Sequence, residues 1–202
     1  MKGRPDDVLW NAPNILTLLR IVLIPVFIAA YYLPYPWAST LAMWLFILAA
    51  LTDWLDGYLA RRLNQSSPFG AFLDPVADKL MVVSALVLLA ADRHVQAQVL
   101  DYRLFAVVVL IIIGREIAIS ALREWMAELG NRAQVAVSFL GKFKTIGQMF
   151  AIPFLLYRER LLGLPTLRIG EALLYVAAGL TLWSMVIYLR AAWPSLMRRP
   201  AS

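Results

Sequence analysis

The sequence predicts an all-α membrane protein: a six-transmembrane-helix bundle with a short N-terminal interfacial segment. Three observations lead there. The 202 residues are 61% hydrophobic and only 16% charged, where soluble domains hold about 45–50% apolar and about 25% charged residues. The apolar residues gather into runs close to the roughly 20 residues that a helix needs to cross a bilayer. Short polar or proline-bearing turns separate the runs. The whole of 1–202 then reads as one membrane domain.

Residues 1–14 are polar with Leu9 and Trp10, and the indole suits an interfacial anchor. The first span covers about 16–33. Arg20 inside it, and the bulky Tyr31-Tyr32-Leu33-Pro34 after it, argue against a cleaved signal peptide. Pro34-Tyr35-Pro36-Trp37 turns the chain into a second span, about 38–62. Asn64–Ser67 is a polar turn, and Ser67-Pro68 has the form of an N-cap with proline at the first helical position, opening a span over about 68–91. Asp74-Pro75 offers a second start or a kink there. The mixed-charge stretch 92–103 reads as a solvated loop that includes His94. Spans follow at about 104–129, 137–157 and 169–193, with loops at 130–134 and 158–168.

Lysine and arginine set the orientation. With both termini and the 2–3 and 4–5 turns on one side, that side collects 14 of the 19 basic residues. It is therefore read as cytoplasmic. The net charge of +6 is accounted for by anionic headgroups, and no nucleic acid partner is expected. Cysteine is absent and His94 is the sole histidine. That excludes thiol chemistry, zinc fingers and multi-histidine metal sites.

The adjoining halves of the second and third spans carry Asp53, Asp56, Asp74 and Asp78. Carboxylates so close to hydrocarbon are costly and point to function. Asp53, Asp56, Gly57 and Ala60 share one helical face, and Asp74 and Asp78 share a face of the next helix. Antiparallel packing across a short turn can bring the acids together, where they would repel and take up protons unless a cation intervenes. An all-oxygen donor set suits Mg²⁺, Mn²⁺ or Ca²⁺. Gly57 and Ala60 keep the face open for a ligand or for a packed helix. Arg61 can pair with an aspartate or hold a phosphate. Metal held by carboxylates suits phosphoryl-type transfer.

The spacing Asp53-x2-Asp56-Gly57-x2-Ala60-Arg61-x8-Gly70-x3-Asp74-x3-Asp78 resembles the signature of the CDP-alcohol phosphotransferase family at every fixed position. The likeness extends from Asn11 onward, through Asn14-x2-Thr17-x2-Arg20, Ala60-Arg61-Arg62-x-Asn64 and Phe69–Lys79. It implies a six-span membrane enzyme, commonly a homodimer, that displaces CMP from a CDP-linked donor by an alcohol. It implies metal binding, Mg²⁺ or Mn²⁺ and two ions, by Asp53, Asp56, Asp74 and Asp78, with Asp78 also the general base. Asp53, Gly57, Ala60, Arg61 and Gly70 would hold the CDP donor.

The acceptor is a separate question. Arg115, Lys142 and Lys144 fall near the cytoplasmic ends of spans four and five. A basic pocket there suits an alcohol that carries its own phosphate, while snorkelling or pairing with Glu116, Glu124 and Glu128 is the plainer account. Within the family these segments resemble the bacterial branch that joins CDP-diacylglycerol to glycerol 3-phosphate, which implies that Arg115, Lys142 and Lys144 bind the acceptor phosphate. Serine or an inositol phosphate as acceptor, a divalent-cation transporter and a non-catalytic lipid scaffold are the competing readings.

Overall fold

The computed structural model describes residues 12–63, 68–128, 139–161 and 163–196. The helices are α1 (Ala12–Tyr31), α2 (Ala38–Leu63), α3 (Pro68–Ala91), a short α4 (Arg93–Gln98), α5 (Tyr102–Glu128), α6 (Phe139–Tyr157) and α7 (Thr166–Leu196). Two-residue strands β1 (Arg160–Leu161) and β2 (Leu164–Pro165) pair antiparallel before α7. The expected interfacial N-terminus, the 64–67 turn and the 130–134 loop lie outside the described residues.

Among the described residues, four helices are long and apolar enough to cross a membrane, over Asn14–Tyr31, Ala38–Leu55, Tyr102–Met126 and Thr166–Arg190, and α6 has a shorter apolar stretch, Ile146–Tyr157. The bundle is apolar outside as well as inside. Trp44, Leu51, Leu110, Ile117, Phe150 and Trp183 point outward, while Phe27, Phe46, Phe105, Ile112 and Leu155 are buried. A helix apolar all round belongs in lipid, and the chain is a membrane protein.

The helices alternate in direction, so each end of the bundle gathers residues remote in sequence. On α1, steps of three and four bury Asn14, Thr17, Arg20, Ile24, Phe27 and Tyr31 along one face. Its first half is polar and its second apolar. α1 packs on α2 and α3, α2 on α6, and α5 on α3 and α7. The α6–α7 pair is the closest. A Cβ on Gly170 would stand 2.8 Å from Leu155 Cγ and 2.9 Å from the Ala151 carbonyl oxygen, so only glycine lets the two backbones approach this far.

The end away from the aspartates is clamped by two carboxylates. Asp92 Oδ1 accepts from the backbone N–H of His94 (2.7 Å) and Val95 (3.3 Å), capping α4. Its Oδ2 accepts from Tyr31 Oη (3.0 Å) and Arg158 Nη2 (2.8 Å). The Arg158 guanidinium also lies over the Tyr31 ring, 4.6 Å from its centre. Burial pushes the Asp92 carboxyl up, but Arg158 and the hydrogen bonds from Tyr31, His94 and Val95 outweigh it and hold the group below the usual carboxylate range. Buried Glu171 accepts from the Leu100 backbone N–H (2.8 Å) and Tyr175 Oη (2.9 Å), tying the α4–α5 link to α7.

Three expectations change. The stretch 92–103 is not all loop, because Asp92 caps a helix that carries His94. The 158–168 loop folds into a small ladder around Gly163, whose φ of 80° glycine adopts without strain. And α3 runs unbroken through Pro75, with no second start.

Candidate active site

The α2–α3 hairpin sets the depth of the acids. Asp53 stands ten residues before Leu63, the end of α2, and Asp78 ten residues after Pro68, the start of α3. At 1.5 Å per residue both lie about 15 Å from the turn, so antiparallel packing puts them at one level. There Asp78 interacts electrostatically with Asp53, Arg20, Glu116 and Lys79. Two carboxylates are thus brought together with two cations and a third acid.

Arg20 is the centre of this cluster. It is 1% exposed, and its Nη1 donates to Asp53 Oδ1 at 2.6 Å. A guanidinium is a poor fit for lipid, but the polar first half of α1 turns it inward. Thr52, beside Asp53, satisfies its hydroxyl on the Ala49 carbonyl (2.8 Å), so it does not compete for the carboxylate. Lys79 Nζ donates to Ser120 Oγ of α5. This leads the lysine towards α5 and pins α3 to it.

Two spaces open on either side of the acids. On the α2–α6 flank a groove of about 820 Å³ faces lipid, walled by Trp44, Phe46, Leu51, Phe150 and Phe154 among others, and Asp53 lies on its lining. On the α3–α5–α6 flank a smaller cavity of about 50 Å³ holds Asp78, Lys79, Glu116 and Gln148 against an apolar wall. Met149 lines both. Arg20 and Asp78 line a third small space between them.

Of the expected site residues, the structure describes the side chains of Asp53, Asp78 and Arg115. Asp56, Gly57, Ala60 and Arg61 lie on the last turns of α2, and Gly70 and Asp74 on the first turns of α3. The side chains of these residues, and of Lys142 and Lys144 on the first turn of α6, lie outside the described residues. The Arg115 side chain is among the described residues. Its guanidinium does not line the Asp78 cavity. It turns to α7, where Nη2 donates to Ser184 Oγ (2.8 Å) and the guanidinium lies 5.7 Å from the centre of the Tyr188 ring. Its Nη1 reaches Glu116 Oε2 at 3.5 Å, so it touches the cavity through a neighbour. Sequence reasoning missed the partners of Asp53 and Asp78: Arg20, Lys79 and Glu116. Arg20 carried two signals, its place in an apolar run and in the Asn14-x2-Thr17-x2-Arg20 spacing.

A polar core at one end of an apolar helical bundle, with paired acids between an apolar groove and a small cavity that holds Asp78, Lys79, Glu116 and Gln148, defines a membrane protein with a charged site among its helices. The family model for CDP-alcohol phosphatidyltransferase matches residues 10–183, and the chain belongs to that family. It is an enzyme, a transferase of substituted phosphate groups. The chain is 50% identical over 191 residues to the CDP-diacylglycerol–glycerol-3-phosphate 3-phosphatidyltransferase of Salmonella typhimurium, covering 93% of this chain and 98% of that one. It is 52% identical over 189 residues to the protein of the same name from Pectobacterium atrosepticum, with the same coverage. The corresponding Pseudomonas fluorescens protein is 54% identical over 187 residues, covering 92% of each.

The family is generally dependent on a divalent metal. Among the described residues no three acidic, histidine or cysteine side chains form a metal-binding group. The donor chemistry nonetheless fits a hard cation: Asp53 and Asp78 supply carboxylate oxygens, and the chain has no cysteine.

Proposed function

We propose that the protein transfers the phosphatidyl group of CDP-diacylglycerol to sn-glycerol 3-phosphate, giving phosphatidylglycerophosphate and CMP, the step that commits lipid to phosphatidylglycerol and cardiolipin. The observation that carries the reading is the position of Asp53 on an apolar groove and of Asp78 in a second cavity with Lys79, Glu116 and Gln148. A reaction between a lipid donor and a water-soluble acceptor needs those two approaches on opposite sides of one catalytic group. The relatives that bear this activity's name, at 50–54% identity over nearly their whole length, support the choice of acceptor.

The groove between α2 and α6 takes the acyl chains of the donor, so its headgroup reaches the acids without leaving the membrane surface. Gly57, Ala60 and Gly70 leave room for the CDP moiety, and Arg61 pairs with its phosphates. Asp53, Asp56, Asp74 and Asp78 hold Mg²⁺ or Mn²⁺, two ions in this reading. When bound, the metal neutralises pyrophosphate charge and lowers the cost of releasing CMP. Arg20 holds the Asp53 carboxylate in one orientation. Asp78 takes the proton of the acceptor's primary hydroxyl as that oxygen bonds to the lipid-bearing phosphorus and the bond to CMP breaks. Lys142 and Lys144 hold the acceptor phosphate. Arg115, which meets Ser184 of α7 and lies 3.5 Å from Glu116, shares that task.

All six long helices cross the bilayer in this account, with both termini and the site on the cytoplasmic side of a bacterial inner membrane, and the working unit is a homodimer. Asp78→Asn tests the chemistry. The variant should insert and bind CDP-diacylglycerol but release no CMP. Undiminished CMP release would remove Asp78 from the reaction. Serine or inositol phosphate supporting faster release than glycerol 3-phosphate would overturn the acceptor.

A further inference from the structure

Gln148 is a polar side chain in an apolar helix with no role in the reaction described so far. It is 6% exposed, and its Nε2 is buried without a hydrogen-bond partner. A buried amide donor left unpaired costs about 1–3 kcal/mol, so such groups point to an occupant the protein was built to receive. The amide lines the cavity that holds Asp78, Lys79 and Glu116. Its other neighbours there are hydrocarbon: Val82, Leu86, Ile112 and Ile152. Position 148 is also one helical turn after position 144 on α6, so the two share a face.

We propose that Gln148 reads the acceptor alcohol. Its side-chain NH₂ donates a hydrogen bond to the secondary, non-reacting hydroxyl of glycerol 3-phosphate. Three fixed points then define the acceptor: the phosphate at the α6 lysines, the secondary hydroxyl at Gln148, and the primary hydroxyl at Asp78. A donor suits the secondary hydroxyl, because a hydrogen bond donated to the attacking oxygen would withdraw the electron pair the reaction needs. The same arrangement excludes acceptors without a second hydroxyl, since binding them would leave the amide unpaired in an apolar wall. The inference rests on the glycerol 3-phosphate reading above and adds the group that distinguishes a diol phosphate from other phosphorylated alcohols.

The test compares glycerol 3-phosphate with 3-hydroxypropyl phosphate, which keeps the phosphate and the primary hydroxyl but lacks the secondary one. Wild-type enzyme in detergent should prefer glycerol 3-phosphate by about 10- to 100-fold in kcat/KM, the loss expected for one unpaired buried donor. Gln148→Met, close in length and volume but without a donor, should bring that ratio to within about threefold of unity. Its KM for CDP-diacylglycerol should stay unchanged. An undiminished preference in Gln148→Met overturns the proposal, and means that a bound water or the cavity wall satisfies the amide. If Gln148→Met does not fold, the wild-type ratio alone decides: a preference under about threefold overturns the proposal. Failure of the underlying reading looks different, because glycerol 3-phosphate itself would then support no CMP release.

Discussion

Replacing Arg20 with methionine should separate the acids' electrostatic support from the fold. Arg20 is fully buried on α1 and donates to Asp53 Oδ1 at 2.6 Å, while Asp53 is 39% exposed. Deleting one member of a buried ion pair costs about 3–5 kcal/mol, because the remaining charge is stranded. Asp53 retains access to water, so the screened cost here is smaller, about 1–3 kcal/mol. Asp53 and Asp78 also repel each other across the site, and Arg20 is the cation that faces both. Without it Asp53 loses its fixed orientation and the two carboxylates repel each other unscreened. Expressed as lost transition-state stabilisation, about 1–3 kcal/mol is a fall of roughly 5- to 150-fold in kcat/KM. Methionine fills much of the vacated volume, so the bundle should survive. Arg20→Lys keeps the charge but not the planar fork and should fall between. The assay is CMP release from CDP-diacylglycerol in detergent, alongside thermal unfolding of the same sample. A folded Arg20→Met enzyme with more than half of wild-type activity would refute the reasoning.

Gly170→Ala drives a methyl to 2.9 Å from the Ala151 carbonyl oxygen and 3.0 Å from the Leu155 nitrogen. Overpacking against backbone costs about 1–3 kcal/mol, so the melting temperature in detergent should drop by several degrees, and an unchanged value would mean that α6 and α7 separate freely. Asp92 carries a pH signature. Its carboxyl lies lower in the folded protein than the ordinary value of about 3.9. Its contribution to stability is therefore complete above about pH 4 and fades as pH falls below that towards the folded-state value. Melting curves should show Asp92→Asn less stable than wild type at pH 7, with the gap narrowing below pH 4; a gap constant with pH would leave the charge irrelevant. Because the chain has no cysteine, single replacements report sidedness cleanly. Ser66→Cys should react with an impermeant maleimide only from the cytoplasmic face, and Ala97→Cys only from the other; the reverse pattern would invert the topology.

How much was legible in the sequence depends on how far apart the interacting residues are. The long helices were readable because each is a continuous apolar run near bilayer length, bounded by polar or proline turns. The meeting of Asp53 and Asp78 was readable because both lie on one hairpin. α4 was missed although its cap was visible: Asp92 precedes the helix directly, but its mixed charge suggested solvent. Partnerships across the bundle left no local trace. Arg20 and Asp53 are 33 residues apart, and Arg115 and Ser184 are 69 apart. Helical spacing shows which face Arg115 occupies but not that α7 packs on it, so its charge suggested a phosphate. Gln148 lies between Gly147 and Met149 with nothing nearby to mark it. Only the cavity gives its amide a meaning.

The central claim, that acids between a lipid groove and a polar cavity join a lipid donor to a phosphorylated alcohol, is tested most directly by following both products. Purified protein in detergent would receive CDP-diacylglycerol and radiolabelled glycerol 3-phosphate, with Mg²⁺ or Mn²⁺ or with a chelator. The account predicts label entering the organic phase as phosphatidylglycerophosphate, one CMP released for each lipid formed, and loss of both on chelation or in Asp78→Asn. CMP appearing without labelled lipid, or labelled lipid forming equally well in Asp78→Asn, would contradict it.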